Sequence, residues 1–240
     1  MPLRIGLFLE TGNRLTTMTT RLAYARRPGG VFLLVLVGSI NSTLGQSPLP
    51  VVDDADVHAL RVPCRELLEG LAKVKAALPP ETDRELRALL KDEKKPSDES
   101  AAKIQKLLNN QCLIAVSINP ESRVKAARGP RSAELVAGKE TVVLVRVLNE
   151  AGVTHPLSLE SPEIRSKKDG DKERWLEAAV YPDPSSNPKL SGQRLEYVLL
   201  RLKVQKPGKR EATLIFDVGQ GTQDLGFRAE VPILFTIKAE

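Results

Sequence analysis

Residues 210–237 read REATLIFDVGQGTQDLGFRAEVPILFTI, and this stretch decides the fold. Ala212, Leu214, Phe216 and Val218 fall on one side of an extended chain, because successive side chains of a strand point to opposite faces. Phe227, Ala229, Val231, Ile233, Phe235 and Ile237 repeat the pattern. Gly219, Gly221 and Gly226 lie between the two runs, where the backbone has to reverse. The stretch predicts two strands joined by a turn. It is a signal for architecture, not for chemistry.

The same period of two extends upstream. In 141–148, TVVLVRVL, Val143, Val145 and Val147 share one face while Val142, Leu144 and Leu148 share the other, which predicts a central strand covered on both sides. Residues 194–204 form another strand, with Val198, Leu200, Leu202 and Val204 facing inward. Residues 112–119, 153–160 and 175–181 are shorter candidates. Six or seven strands with Gly, Pro and Ser in the turns and no long helix among them predict an antiparallel β-sandwich over residues 112–240. A partly open barrel is the alternative, and no repeat suggests a propeller or solenoid.

Residues 57–111 carry a different period. Cys64, Leu67, Leu68, Leu71, Val74 and Leu78 recur at helical spacing after Pro63, which suits a first helical turn. Pro79 and Pro80 end that run; Thr82 and Glu85 have the spacing of a capping box before Leu86, Leu89 and Leu90. A third helix places Ala101, Ile104, Leu107 and Leu108 on one side. Residues 46–56, polar and proline-bearing, read as a disordered linker.

Residues 1–45 have the parts of a secretory signal peptide: Arg21, Arg26 and Arg27, then the apolar run VFLLVLVGSI at 31–40, then small and polar residues. The run is half the roughly 20 residues a spanning helix needs, so the membrane is expected as a partner only during export, unless the signal is retained as an anchor. Met18 offers a start that gives a signal of ordinary length. The segment holds five of the chain's 36 basic residues and one of its 30 acids, so the net charge of +6 falls to +2 without it. That balance gives no support to a nucleic-acid partner. Cys64 and Cys112, an even pair in an extracytoplasmic chain, are a disulfide candidate, with two buried free thiols as the alternative.

No catalytic constellation stands out. His58 and His155 are far apart, the cysteines form no C-x-x-C, and G-x-S-x-G is absent. Gly219-Gln220-Gly221 precedes a strand rather than the helix a dinucleotide site requires. Asp169, Asp171 and Glu173 alternate with lysines and suit a solvated hairpin tip. Asp217 and Asp224, in the turn of the opening stretch, are the candidate metal ligands, with turn-building as the competing role. Trp175 and Tyr181 suit a core or sheet edge more than a carbohydrate platform. No cofactor is implied.

Five blocks carry a resemblance: CLIAVSINPESRVKAARGP at 112–130, VRVLNEAGVTHPLSLESP at 145–162, KERWLEAAVY at 172–181, LSGQRLEYVLL at 190–200 and GKREATLIFDVGQGTQDLGFRAEVPILFT at 208–236. They resemble the region that precedes the catalytic domain in secreted bacterial CehA/McbA-type metallohydrolases of the PHP metal-dependent phosphoesterase superfamily. The superfamily's metal site is built from histidines and acids of the later domain, and no position here matches that motif. The resemblance implies an immunoglobulin-like accessory domain. The expectation is a periplasmic or secreted non-catalytic β-sandwich that binds an unknown protein or cell-envelope ligand. The alternatives are the front portion of a PHP-type hydrolase and a calcium-dependent adhesion module using Asp217 and Asp224.

Overall fold

The computed structural model describes residues 48–53, 55, 57–91, 98–164, 174–181, 189–219 and 225–240. All described residues belong to one compact unit that spans Gly45–Glu240.

Nine strands appear among the described residues: β1 (Cys112–Ile118), β2 (Val124–Arg128), β3 (Glu134–Val136), β4 (Glu140–Asn149), β5 (Ser158–Glu160), β6 (Leu176–Tyr181), β7 (Leu195–Val204), β8 (Gly208–Asp217) and β9 (Arg228–Lys238). They form a five-stranded sheet, β2-β1-β4-β7-β6, and a four-stranded sheet, β3-β9-β8-β5. Taking β4 to β9 as strands B to G, one sheet contains B, E and D and the other G, F and C, the partition of an immunoglobulin-like sandwich. β1 and its hairpin partner β2 extend the first sheet beyond β4.

Two pairings depart from the antiparallel expectation. β1 runs parallel to β4 and β3 runs parallel to β9, while the other five are antiparallel. Both parallel pairs join strands separated by other elements, which gives the chain the length that a parallel connection requires. Alternation in sequence shows a strand's buried face but not the direction of its neighbour. β2 and β3 are short and half-exposed, and escape the period-two reading for that reason.

The sheets share one core. Val143, Val145 and Val147 of β4 and Leu200, Leu202 and Val204 of β7 face Ala212, Leu214 and Phe216 of β8 and Val231, Ile233 and Phe235 of β9. β8 and β9, the pair read first from sequence, are the two interior strands of their sheet. Pro232 stands opposite Thr213, whose N–H is donated away from β9 to Glu163 Oε2 at 3.1 Å. This is a non-hydrogen-bonded pair, so the missing proline N–H costs no β8–β9 ladder bond. Trp175 meets Phe235 edge-on at 6.2 Å, and the Arg210 guanidinium lies 5.6 Å from the Trp175 ring centre, so Trp175 packs at the core margin.

The outer face of the five-stranded sheet is also apolar. Leu144, Leu195, Tyr197 and Leu199 form a second core with three helices, α1 (Val57–Lys73), α2 (Pro80–Lys91) and α3 (Asp98–Asn109). β4 lies between the two cores, with β1 and β7 on its edges, as its two-sided apolar pattern predicts. Pro63 does not open α1; it lies inside the helix that starts at Val57. α2 begins at Pro80, not at the Thr82 capping box, because proline fits the first helical position. The disorder expected of 46–56 does not extend to Leu49 and Val52. The Gln105 side chain accepts from Val52 N–H at 2.8 Å and donates to Val52 O at 2.9 Å, and Asn109 Nδ2 donates to Leu49 O at 3.4 Å.

The expected Cys64–Cys112 disulfide is absent. Both cysteines are buried free thiols in the helix–sheet core, and Cys112 Sγ donates to Leu108 O at 3.2 Å. Each serves as a small apolar side chain, the stabilisation coming from packing rather than from a cross-link. Burial pushes both thiols up to about 12 from 9.0.

Candidate functional site

A groove of about 600 Å³ runs between α1 and the end of β7. Its helical wall carries Ala59, Val62, Pro63, Glu66 and Gly70, residues that helical spacing brings to one side. Gly70 sets the width: a Cβ there would stand 3.1 Å from Leu199 Cδ1 and 3.6 Å from Tyr181 Cε1, so the bare backbone lets α1 approach the sheet. Opposite lie Tyr181, Tyr197 and Leu199, with Lys189, Ser191 and Gln193 beyond. β6 covers β7 only as far as the Tyr181–Leu199 pair, so residues 195–198 have β4 on one side and no described strand on the other.

Glu196 belongs to the lining of this groove, but alternation with Tyr197 and Leu199 places its side chain on the sandwich face of β7 with Val198 and Leu200. It is 8% exposed, its Oε2 accepts the Ser191 N–H at 2.8 Å, and its Oε1 is shielded from solvent without a hydrogen-bond partner. Burial raises its carboxyl above the ordinary value, against the lowering effect of hydrogen bonds from Ser191, Asn149 and Gly192. Nearby, Tyr197 Oη donates to Asn109 Oδ1 at 3.0 Å, tying sheet to α3, and burial pushes its hydroxyl well up.

Helical Pro63 also lines the groove. A residue at this position would ordinarily donate to the Ala59 carbonyl, and proline has no N–H to give. Val62, 56% exposed, is one of two large apolar side chains exposed among the described residues, and it faces the same groove.

Arg146 marks a second polar irregularity. It is 4% exposed in the middle of β4, and its Nε and Nη2 have no hydrogen-bond partner. The guanidiniums of Arg146 and Arg131 both act electrostatically on the Cys112 thiol, drawing it down against the larger effect of burial.

Asp217 serves the backbone: its Oδ1 accepts the Gly219 N–H at 2.5 Å, and its carbonyl accepts from Ser158 Oγ at 3.1 Å. Asp224, its expected companion, lies outside the described residues, as do Asp169, Asp171 and Glu173. Among the described residues no three His, Cys, Asp or Glu side chains gather as a metal cluster. Of the residues weighed in sequence for chemistry or ligand contact, Tyr181 alone lines the groove. Glu196 and Arg146 were missed, though each interrupts an apolar stripe: Glu196 extends the series Val198, Leu200, Leu202, and Arg146 the series Val142, Leu144.

No protein-family model and no curated protein matches the chain. Among solved structures, a mutant of the SrpA adhesin from Streptococcus sanguinis is similar at a TM-score of 0.30 and 13% identity, over 46% of this chain and 57% of that one. PbICP-C, solved in complex with falcipain-2, is similar at a TM-score of 0.27 and 13% identity, over 45% of this chain and 87% of that one. The chain thus spans a little over half the length of the adhesin chain.

Proposed function

We propose that residues 45–240 form a non-catalytic binding or accessory module acting outside the cytoplasm, with the α1–β7 groove as its ligand site. The observation that carries this reading is the groove itself: it has the volume of a small-ligand site and walls in which Val62, Tyr181 and Leu199 alternate with charged and polar side chains. The signal-like sequence of 1–45 supports the location, and no helix among the described residues is long and apolar enough to cross a membrane. A fragment screen of the full chain by saturation-transfer NMR tests the site. Hits are expected to lose binding in Val62→Glu and in Gln193→Trp, exposed positions on opposite walls. Hits that survive both substitutions, or turnover of a phosphoester by the purified chain, overturn the reading.

A second reading follows from the resemblance to the region preceding PHP-type catalytic domains. The five resembling blocks coincide with β1–β2, β4–β5, β6, β7 and β8–β9, so the likeness tracks the strands of the sandwich rather than one loop. On this reading the module accompanies a metallohydrolase domain. A histidine-rich reading frame immediately downstream in the genome supports it, and an unrelated gene there counts against it.

A further inference from the structure

We infer that the outer edge of β6 pairs with β6 of a second copy of this chain, joining two five-stranded sheets across a two-fold axis. The inference stands apart from the groove proposed above. The edge strands are β2 and β6 in one sheet and β3 and β5 in the other. An open edge invites another strand unless it is short, charged or covered. β3 and β5 are three residues long, and β2 carries Lys125 and Arg128 and packs against β9. β6 has six residues, LEAAVY, with one acid and no lysine, arginine or proline. Among the described strands it alone is a long edge without such protection.

Its backbone is set for pairing. Leu176 N–H is donated away from β7 to Glu163 O at 3.1 Å, so alternation turns the N–H and C=O of Ala178 and Val180 outward as well. Neither residue has a backbone partner on that side among the described residues. With Ala179 of each copy on the axis, Ala178 faces Val180 of the second copy and Glu177 faces its Tyr181. Both Ala178–Val180 pairs then exchange two ladder bonds, and the small Ala179 side chains meet at the centre. The pairing ends at Leu176, whose N–H is already taken, and at Tyr181, which is followed by Pro182.

Charge selects a second copy as the occupant. Glu177 and Lys73 are both exposed, and neither forms an ion pair among the described residues. Lys73 lies with Tyr181 along the groove, so Glu177 of the second copy, opposite Tyr181, comes within its reach. Lys203 stands beside Glu177 on β7, which places the acid between two bases, and the symmetry makes the contact twice. Arg201, the other cation of this face, is paired with Glu140 and leaves the axis uncharged. An edge this short buries less than the roughly 1,000 Å² of a stable interface, so the dimer forms in the range of tens of micromolar or weaker.

Sedimentation velocity of the full chain from about 10 μM to about 1 mM, the range a small interface occupies, should show a monomer passing into a dimer. Ala179→Glu sets two acids against each other on the axis while giving each its own Arg201 across β6–β7, so it should stay folded and remain monomeric. Lys73→Glu should weaken the dimer severalfold, and adding Glu177→Lys should restore it. In amide hydrogen exchange of the wild-type chain, Ala178 and Val180 should exchange roughly tenfold more slowly in the concentrated sample, whereas Ala179, whose N–H faces β7, should not change. That exchange pattern decides the matter should Ala179→Glu fail to fold. A chain monomeric at every concentration overturns the pairing and leaves the edge to a strand of another protein. A dimer in which Ala178 and Val180 gain no protection, or which survives in folded Ala179→Glu, overturns it by placing the interface elsewhere.

Discussion

Replacing Arg146 with methionine should make the protein more stable. The guanidinium lies in the middle of β4, buried to 4% exposure, with two nitrogens that donate to nothing. Each unmet buried donor costs about 1–3 kcal/mol, and a buried charge without a counterion costs more. Against this, Arg146→Met surrenders whatever the charge gains from its surroundings but keeps an unbranched stem to fill the same space beside Leu144 and Tyr197. The balance favours methionine by about 2 kcal/mol, which at roughly 2–4 °C per kcal/mol for a unit of this size corresponds to a rise in Tm of about 4–8 °C. Urea unfolding followed by circular dichroism measures it: the midpoint should rise with the slope unchanged. Arg146→Lys, which retains a charge at the same site, should not share the gain. A midpoint that falls by the equivalent of 2 kcal/mol in Arg146→Met would refute the reasoning, and would mean that the α3 carboxyl end or another dipole stabilises the cation more than its desolvation costs.

Four other outcomes are expected. The native protein should show no reaction of Cys64 or Cys112 with a disulfide reagent at pH 8 and two thiols after unfolding, and an intact mass lower by two hydrogen atoms would contradict the free-thiol state. Because both thiols titrate near 12 when folded and near 9.0 otherwise, the unfolded chain loses its protons first; stability should be flat below pH 9 on this account and fall between 9 and 12, and a Cys64→Ala, Cys112→Ala variant should lose that decline. Gly129→Ala should destabilise by about 2–4 kcal/mol in chemical denaturation, since its Cβ would overlap the Cys112 carbonyl while the Gly129 N–H is held by Leu113 O at 2.8 Å; wild-type stability would show that this crossing yields. Glu196 is likewise raised in the folded state, so its contribution declines as pH rises through the ordinary carboxylate range; Glu196→Gln should remove that decline in a pH series of melting temperatures and equal or exceed wild type at pH 7.

The sandwich was legible in sequence because burial on one face leaves a period of two, and burial on both faces leaves a nearly continuous apolar run such as Val142–Leu148, broken only at Arg146. Phe216 and Phe235, on stripes read from the opening stretch, are both wholly buried. What escaped was whatever side-chain pattern does not record. Strand direction is set by the path of the connections, so the parallel β1–β4 and β3–β9 pairs were invisible. The thiols looked like a cross-link because cysteine count and compartment suggested one, whereas an apolar setting accommodates each singly. The groove was hidden for a further reason: it joins a helix to a strand more than a hundred residues later in the chain. Its one local trace was an acid in an inward stripe, LEYVLL at 195–200, which is a stronger signal than the acids of a turn.

The place of β9 in its sheet bears on how the protein is made. Residues 228–238 pair with β8 along one edge and with β3 along the other, so the second sheet has no interior until they are present. A nascent chain that has reached β8 holds only an uncovered β5–β8 pair to set against β4 and β7, with Phe235 and Ile237 missing from the core. Closure therefore waits on β9, and on contacts that span most of the domain, a topology that folds slowly. On the extracytoplasmic reading proposed above, that delay suits passage through an export channel in the unfolded state, since the sandwich cannot lock before β9 enters.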